Sequence, residues 1–391
     1  MSTLPPLRRL TQGPKFHWFG YYDKEQFDPT GRFVLGMETG FEGRTPQPED
    51  VLTVGVIDLE EKDSWTPLGT TRAWNWQQGC MLQWVPKTKS TVMWNDREEG
   101  RFVSHFLDIQ TGKKRTLPAP LYTLSPDGKW GVAPDFRRLN DCRPGYGYNG
   151  LPDPNPHKQA PEDAGIWRTE LKTGKTELIF SFADALKAWP QDEKAWAGTK
   201  HWFNHLLFSP NSQRFIFLHR WRKPSQGAGF STRVFTMGGE GNDLHLLYPY
   251  NRFSHFIWRD STHITAWAHL PSHEFKFYLF TDKTDKTEPI GGDVMTSDGH
   301  LTYLPQEGGK RWIVNDTYPD KEGFQHPYLF DTKSGKRTEL GKLLAPPAYR
   351  AEFRCDLHLR HSRDGKKLCL DSAHENGRQL YLMEIGDFLA Q

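Results

Sequence analysis

Cysteine is scarce in this sequence, and its four copies lie far apart. Cys80, Cys142, Cys355 and Cys369 form no C-x-x-C pair, which argues against a zinc ribbon or a disulfide scaffold and favours a reducing compartment. No apolar run approaches the length of a membrane span or a secretory signal. We therefore expect a cytoplasmic protein with no membrane partner, or a periplasmic one if a leader has been removed.

Concentrated charge and nucleotide-binding motifs are also missing. The 50 Lys and Arg residues nearly balance the 48 Asp and Glu residues, and no long basic run occurs, so a nucleic-acid partner is not indicated. The sequence has no G-x-S-x-G nucleophile elbow, no P-loop and no dinucleotide fingerprint. A serine hydrolase of the α/β type and a nucleotide-dependent enzyme are therefore not supported.

Long helical patterns are rare, whereas aromatic residues are abundant. Aromatic side chains make up 14% of the chain, with 15 Trp and 25 Phe, although hydrophobic residues reach only 36%. Short aromatic and β-branched runs, bounded by Gly, Pro, Asp and Asn, recur from one end to the other. This composition is typical of a fold built from short β-strands.

Two kinds of segment alternate along the chain. Strand–turn–strand patterns occupy residues 26–37, 83–94, 123–134, 207–218, 257–268, 303–316 and 361–372. Hairpins with a TGK-like turn follow them, most clearly at 106–117, 168–179 and 329–340. A unit of four short strands repeated seven times predicts an all-β, seven-bladed β-propeller that spans residues 1–391 as one domain. A tandem pair of β-sandwiches is the alternative.

Two insertions interrupt the repeat. Residues 136–165 are rich in Pro and Gly and cannot form a continuous strand, so we expect them to overhang the mouth of the central cavity. Residues 182–203 include the segment FADALKAW, which predicts one or two helical turns.

A histidine recurs at one position of four successive repeats. It stands five residues before the turn in NHLLFSP, SHFIWRD, GHLTYLP and LHLRHSR, as His205, His255, His300 and His358. Lys24, Met81 and Leu121 occupy this position in the first three repeats. We call these seven places the register position. Because equivalent positions of neighbouring blades meet around the propeller axis, we expect four imidazoles to face one small volume.

The register histidines suggest a metal site or an acid–base site. A single histidine at such a place more often forms a hydrogen bond between blades, and the chain has 16 histidines, but four in consecutive repeats favour a functional role. Asp356 lies two residues before His358, so both side chains point to the same side of a strand. Carboxylate and imidazole together are ordinary ligands of manganese, iron or zinc.

Other residues are candidates for contacts with a substrate. Arg233 offers a guanidinium that binds carboxylates in bidentate fashion, although a surface ion pair is its commoner role. His17 opens the first repeat and is followed by Tyr21 and Tyr22. Tyrosine beside cationic groups can act as an acid or a base, whereas packing is its more frequent role.

These motifs resemble those of the oligogalacturonate lyase family. The similarity rests on SHFIW around His255, GHLTY around His300 and the seventh-repeat histidine His358, with a weaker match in FHWFGYYDKEQFDPTGRFVL. The resemblance implies a seven-bladed cytoplasmic propeller that cleaves oligogalacturonides by β-elimination with a divalent metal. Asp356 stands where the family has a histidine, and Phe353 stands where it has a glutamine ligand.

The resemblance also implies roles for individual residues. His255 is then the catalytic base, and Arg233 neutralises the substrate carboxylate. His300, Asp356 and His358, supported by His205, hold the metal; Mn²⁺ is the expected ion, with Zn²⁺ or Ca²⁺ as alternatives. Tyr21, or a tyrosine of the first insertion, supplies the acid. The residues expected to line the substrate site are His17, His205, Arg233, Tyr146 and Tyr148.

The substrate and the reaction stay open at this stage. The departures from the family pattern suggest that the substrate is not simply oligogalacturonate. Ulvan lyases are propellers with related His, Tyr and Arg chemistry, so another uronate-containing glycan is an alternative substrate. A glycoside hydrolase is an alternative. Such an enzyme generally needs two paired carboxylates, whereas the residues expected around the axis offer mainly Asp356. A non-catalytic TolB-like binding propeller is another. We expect an acidic oligosaccharide as partner and a monomer or homodimer.

Overall fold

The first strand of the chain belongs to its last sheet. The computed structural model describes residues 4–190, 196–227, 229–271 and 274–389. Strand β1 (Leu7–Arg9) is followed by six complete four-stranded antiparallel sheets and then by three strands of a seventh. Each four-stranded sheet is one blade, and its strands are consecutive in the chain apart from this exchange and from β24, which interrupts the sixth blade.

The first three blades hold strands β2 to β13. Blade 1 contains β2 (Phe16–Trp18), β3 (Phe33–Thr39), β4 (Leu52–Asp58) and β5 (Ser64–Thr71). Blade 2 contains β6 (Gln83–Trp84), β7 (Thr91–Glu98), β8 (Arg101–Asp108) and β9 (Lys114–Leu117). Blade 3 contains β10 (Thr123–Leu124), β11 (Trp130–Pro134), β12 (Gly165–Glu170) and β13 (Thr176–Ser181).

The remaining strands form blades 4 to 7. Blade 4 contains β14 (Lys200–Phe208), β15 (Arg214–Arg222), β16 (Ser231–Gly238) and β17 (His245–Tyr248). Blade 5 contains β18 (Phe253–Trp258), β19 (His263–His269), β20 (Phe275–Thr281) and β21 (Thr287–Ile290). Blade 6 contains β22 (Thr302–Tyr303), β23 (Trp312–Asn315), β25 (Tyr328–Asp331) and β26 (Lys336–Glu339), while β24 (Phe324–Gln325) and β27 (Leu343–Leu344) pair separately. Blade 7 contains β28 (Arg360–His361), β29 (Lys367–Ser372) and β30 (Gln379–Glu384).

Blade 7 closes the ring by recruiting β1 as its outer strand. The pairing is antiparallel and joins Leu7 to Met383 and Arg9 to Tyr381. The seven-bladed propeller is therefore confirmed, and the tandem β-sandwich is not the architecture. The TGK-like turns are also confirmed, since 106–117 forms the β8–β9 hairpin and 168–179 forms the β12–β13 hairpin.

Both insertions carry a short helix. In the first, α1 (Phe136–Cys142) is capped by the side chain of Asp135. In the second, α2 (Phe182–Ala188) begins with a reciprocal capping box between Ser181 and Asp184, which satisfies donors that a helix leaves free at its start. The helical turns predicted for FADALKAW are thus confirmed, while residues 191–195 of this insertion lie outside the described residues.

The other helical segments are very short. Helix α3 (Gly386–Leu389) ends the described chain, and single 3-10 turns occur at Pro224–Gln226, Gln306–Gly308 and Ala351–Phe353. Within the described residues, none of the helices has the length and apolar character that crossing a bilayer requires.

Aromatic side chains fill the spaces between blades. Trp18, Trp74 and Trp76 lie 5.1–5.8 Å apart, centroid to centroid, between the first blade and its neighbours. Phe203, Phe217 and Phe235 form a similar column across blade 4. These flat rings provide the large buried area that short strands cannot supply with aliphatic residues alone.

The backbone is irregular at the register position. Met81, His205 and His358 have positive φ angles of 58°, 51° and 45°. In blades 4 and 5 the pairing of the first two strands also shifts, between Asn204 and Leu207 and between Phe253 and Phe256. A bulge changes the direction of the side chain that it carries. The side chains of these histidines therefore leave the regular alternation of the strand and face the axis.

A polar side chain ties blade 2 to blade 3. Asn95, a residue of β7, is fully buried. Its Oδ1 accepts hydrogen bonds from the Leu121 backbone N–H and the Ser104 hydroxyl, both at 2.8 Å, and its Nδ2 donates to the Leu121 carbonyl at 2.7 Å. The backbone N–H and C=O of Leu121, the register residue of blade 3, are therefore both hydrogen-bonded to the side-chain amide of Asn95.

We expect Asn95→Ala to lower the free energy of unfolding by roughly 2–4 kcal/mol, because it leaves the buried N–H and C=O of Leu121 without partners. Urea or guanidinium titration followed by tryptophan fluorescence measures the change. Asn211→Ala, at an exposed turn, is the control and should cost less than about 1 kcal/mol. Equal losses in the two variants would contradict the role given to Asn95.

Candidate functional site

The register histidines of blades 5, 6 and 7 form a contiguous cluster at the axis. The ring centroids of His255 and His300 are 4.1 Å apart, and those of His300 and His358 are 4.2 Å apart. His205 joins them through Tyr21, whose ring stacks on His205 at 5.1 Å and contacts His358 edge-on at 5.1 Å. The predicted convergence is therefore observed, with Tyr21 inserted between one histidine and the other three.

Three side chains in this cluster have the arrangement of a metal site. Ligand atoms of His300, Asp356 and His358 lie within 4.8 Å of one another, and all three residues are buried. The Nε2 atoms of His300 and His358 are buried and have no hydrogen-bond partner among the described residues. Unsatisfied imidazole nitrogens are costly in a folded interior, so a cation fits this donor set. His205 does not belong to the group.

Asp316 orients two of these residues. Its carboxylate accepts from Nδ1 of His300 at 2.9 Å, which leaves Nε2 of that ring as the free lone pair. It also accepts the backbone N–H of His300 at 2.7 Å and that of His358 at 3.0 Å. Burial acts against protonation of His300, but Asp316 outweighs it and raises the pKa of the imidazole. Burial lowers the pKa of His358 well below its usual range.

His255 is held by a second carboxylate. Its Nδ1 lies 3.0 Å from Oδ1 of Asp298, while its Nε2 lies 3.4 Å from the Tyr318 hydroxyl. Burial, followed by the charge of His300, lowers the pKa of His255. With Nδ1–H directed to Asp298, the ring carries its lone pair on Nε2 and is able to accept a proton there.

Tyr21 and His205 form a stacked pair beside the cluster. Nδ1 of His205 is 3.3 Å from both the Gln78 side-chain nitrogen and the Tyr122 hydroxyl, and burial lowers its pKa well below the ordinary value. Burial raises the pKa of Tyr21 well above 10.0, so its hydroxyl keeps its proton. Within the described residues that hydroxyl has no hydrogen-bond partner.

The first insertion reaches the axis through Tyr146. Its ring packs edge-on against His205 at 5.5 Å, and its hydroxyl accepts a hydrogen bond of 2.7 Å from Nη2 of Arg354. Burial opposes ionisation, but Arg354 and Arg143 outweigh it and lower the pKa of Tyr146 to about 7. Arg354 also donates to Asp356 at 2.7 Å. The insertion is thus linked to a candidate metal ligand.

Arg220 presents a guanidinium with spare donors. It is 5% exposed on β15, and its Nε and Nη1 atoms are buried with no partner among the described residues. Burial and Arg143 lower the pKa of Arg220 to about 9, so the side chain stays cationic at neutral pH. Burial, followed by the charge of Arg220, lowers the pKa of His205.

Arg233 does not reach the site, contrary to prediction. Its Nε donates to Nδ1 of His219 at 2.8 Å, and its Nη atoms donate to the carbonyls of Trp189 and Ala185 at 3.0 and 2.7 Å. The residue lies on β16, the third strand of blade 4, which is separated from the axis by β14 and β15. Arg233 therefore anchors the α2 insertion, and each of its three side-chain nitrogens already donates to a protein group.

His17 and Tyr148 are also structural. The ring nitrogens of His17 contact Gln379 and Glu38, each at 3.1 Å. Tyr148 is fully buried, stacks on Phe136 at 4.2 Å and accepts a hydrogen bond from Asn95. The structure places neither in the axial cluster, and their polar atoms are already satisfied inside the fold.

Sequence reasoning missed several residues of the site. Asp298 and Asp316 orient the two central histidines, and Arg354 and Arg220 carry charge to its edge. Asp298 precedes His300 by two residues in SDGH, a spacing like that of Asp356 and His358, and this signal was available. Asp316 and Arg220 end long strand patterns and carry no comparable local signal.

A second group with metal-like composition lies on the outside of blade 2. It consists of Asp96, Glu98 and His105, and these side chains are partly exposed. His105 already contacts Thr116 at 2.9 Å and Asp96 at 3.4 Å. This group differs from the axial one because its imidazole nitrogens have partners.

Solved structures with the same architecture include oligogalacturonate lyases. One, determined in complex with manganese, has a TM-score of 0.71 and 15% identity, covering 100% of this chain and 96% of that chain. The enzyme from Vibrio parahaemolyticus has a TM-score of 0.67 and 13% identity, covering 99% and 95%. The propeller domain of a Pyrococcus furiosus trilobed protease gives 0.53 and 9%, covering 95% and 94%.

The shared property is the fold. At these identities the comparisons confirm the resemblance to oligogalacturonate lyases in architecture over the full chain, including its seven blades. No protein-family profile matches the sequence. No curated protein matches it either.

A buried chain of hydrogen bonds in blade 4 makes stability depend on pH. His201 and His219 are 2.9 Å apart, nitrogen to nitrogen, and burial with Arg233 lowers the pKa of His201 to about 3 and that of His219 well below 6.5. Between these values and 6.5 the unfolded chain binds more protons than the folded protein. We therefore expect stability to be complete above pH 6.5 and to fall as the pH decreases, at up to about 1.4 kcal/mol per pH unit for each histidine.

Urea midpoints measured near pH 7 and near pH 5 test this expectation. The double variant His201→Gln/His219→Gln should show a smaller loss between the two conditions than the unmodified protein. The control is His157→Gln, at an exposed position. This variant should lose as much stability between pH 7 and pH 5 as the unmodified protein does. An unchanged loss in the double variant would show that other groups cause the acid sensitivity.

Proposed function

We propose that this protein is a lyase that cleaves a uronic-acid-containing oligosaccharide by β-elimination with the help of a divalent cation. The observation that carries the proposal is the pair of unsatisfied, buried Nε2 atoms on His300 and His358, placed with Asp356 beside His255, whose Nδ1 is held by Asp298. The architecture shared with oligogalacturonate lyases, one of them in complex with manganese, supports it.

The residues present suit a cation. His300, Asp356 and His358 would hold it. Mn²⁺ is favoured by this set of imidazole and carboxylate ligands and by the structural comparison. When bound, such an ion supplies positive charge that stabilises the carboxylate of the substrate as it becomes enolate-like. Asp316 fixes the orientation of His300 toward that position.

His255 is suited to remove the proton next to the substrate carboxylate. Its lowered pKa keeps the imidazole neutral near pH 7, and Asp298 accepts the Nδ1–H, so that the lone pair of the neutral ring is on Nε2. The carboxylate of Asp298 also stabilises the imidazolium that forms when Nε2 takes the proton.

Tyr21 is suited to protonate the departing glycosidic oxygen. Its raised pKa keeps the hydroxyl protonated, and no described residue competes for that hydrogen. Stacking on His205 holds the ring at a fixed place beside the cluster. Tyr146 is the less suitable acid because its neighbouring guanidinium groups favour the phenolate.

Arg220 takes the role that the sequence assigned to Arg233. Its free Nε and Nη1 donors match the two oxygens of a carboxylate, and a buried, unpaired guanidinium gains more from such a partner than a solvated one. The substrate carboxylate would then lie between Arg220 and the cation site.

Metal binding can be tested without turnover. We expect the purified protein to bind Mn²⁺ and His358→Asn to bind it at least about tenfold more weakly, since one ligand is lost. Asparagine is chosen because it tolerates the positive φ of residue 358. Isothermal titration or the Mn²⁺ paramagnetic resonance signal measures the affinity.

The control for metal binding is His105→Asn in the surface group of blade 2. It should leave the affinity unchanged. If His105→Asn weakens Mn²⁺ binding and His358→Asn does not, the ion binds at the surface group and the axial site is not a metal site.

The reaction is tested with a panel of uronic oligosaccharides and Mn²⁺. We expect the ultraviolet absorbance of an unsaturated uronate to appear and His255→Ala to abolish it, by at least about a hundredfold, because the base is lost. Arg220→Gln should reduce turnover while the protein stays folded. Its matched control, Arg233→Gln, should lower the unfolding temperature but retain activity per folded molecule.

Product analysis separates elimination from hydrolysis, because hydrolysis gives saturated ends only. Saturated products, or a fully active and folded His255→Ala variant, would reject the lyase assignment. Circular dichroism of each variant confirms that the comparison is made between folded proteins.

A further inference from the structure

We propose that a cavity beside the axial site, lined by Glu42, Trp76, Tyr349, Phe353 and Arg378, binds a neutral sugar residue of the same oligosaccharide. The cavity has a volume of about 280 Å³. Pockets that enclose drug-sized ligands span roughly 300–1,000 Å³, so a single sugar ring is the size that this one fits. Its assignment to the same oligosaccharide rests on the proposed function, whereas the binding of a sugar does not.

The cavity opens at the end of the propeller where the register residues lie. In every blade the first strand starts at this end and the second strand returns to it. Glu42 follows β3, Arg378 precedes β30, and Trp76 lies in the connection between blades 1 and 2. Tyr349 and Phe353 lie in the connection between blades 6 and 7.

Two of these segments lead directly into the axial site. Phe353 is three residues before Asp356, and Trp76 is two residues before Gln78, whose side chain contacts His205. Three residues of extended chain span at most roughly 11 Å. The cavity and the candidate metal site are thus separated by a distance that an oligosaccharide of a few residues covers.

The cavity combines aromatic surface with a charged pair. Trp76 is only 2% exposed, because Phe353 packs edge-on against it at 6.4 Å and Arg378 lies over it at 5.2 Å, so the aromatic surface that the cavity offers comes mainly from Tyr349 and Phe353. A pyranose has an apolar C–H face and a polar edge of hydroxyls. It therefore places its face on the aromatic rings and its hydroxyls toward the charged pair, as amphipathic surfaces allow.

Two buried polar atoms in the cavity are left without hydrogen-bond partners. They are Nε of Arg378 and Oε1 of Glu42, which are 3.5 Å apart; the Arg378 side chain is only 3% exposed. One is a donor and the other an acceptor. A hydroxyl group accepts from the first and donates to the second, so sugar hydroxyls satisfy both.

The charge of the cavity selects against a uronate at this place. Arg378 is already balanced by Glu42, and Nη2 of Arg378 donates to the Phe353 carbonyl at 2.7 Å. A further carboxylate would meet the Glu42 carboxylate in a partly desolvated space, where like charges are costly. Burial already raises the pKa of Glu42, which shows that this environment disfavours negative charge.

Binding of simple glycosides to the full-length protein tests the inference. The probes are methyl β-galactopyranoside and methyl α-rhamnopyranoside as neutral sugars and the methyl glycoside of galacturonic acid as the charged one. Saturation-transfer NMR and calorimetric titration give the affinities. We expect both neutral probes to bind more tightly than the charged probe.

Three variants locate the binding. Tyr349→Ala should weaken the neutral probes by at least about tenfold, because one aromatic wall is removed. Glu42→Gln keeps an acceptor for the Tyr349 hydroxyl, which now donates to Glu42 at 2.6 Å, and should bind the galacturonoside more tightly than the unmodified protein does. Tyr250→Ala, an exposed tyrosine elsewhere on the same end, should change nothing.

Several results would overturn the inference. They are the absence of binding of either neutral probe, unchanged binding in Tyr349→Ala, or a galacturonoside affinity equal to that of the neutral sugars in the unmodified protein. Because the base is not involved, His255→Ala should retain neutral-sugar binding. Neutral-sugar binding without elimination of any uronide would reject the proposed function and leave the sugar site standing.

Discussion

One type of hydrogen bond holds neighbouring blades in place at the axis. A polar side chain in or just after a blade's second strand accepts the backbone N–H at the start of the next blade: Asn95 does so for Leu121, and Asp316 for His358. Asp371 accepts from Phe19 and Gly20 in the same way. The site depends on this bond, because Asp316 fixes the ring of His300 with the same carboxylate that positions His358.

The repeat and the histidine register could be predicted because both are periodic. Turn residues recur at fixed offsets, and a residue at a fixed offset from a turn occupies an equivalent place in each blade. The spacing therefore predicts that His255, His300 and His358 meet at the axis. It could not reveal that the ring of Tyr21 lies between His205 and this group, since this depends on packing around the axis.

The residues that sequence reasoning misplaced differ from the others in one respect. Arg233, His17 and Tyr148 were selected for their chemistry rather than for a repeated position. The distance of a strand from the axis distinguishes the two arginines of blade 4: Arg220 lies on the second strand and Arg233 on the third. Local sequence around the two arginines gives no means to distinguish them.

The exchange of β1 into the last blade has a consequence for folding. Leu7 and Met383 are partners although nearly the whole chain separates them. Closing so large a loop is entropically costly and depends on contacts already made by the intervening blades. Strand β1 must therefore remain unpaired until the strands of blade 7 have been synthesised, and the open ring that exists until then exposes strand edges on both sides of its gap.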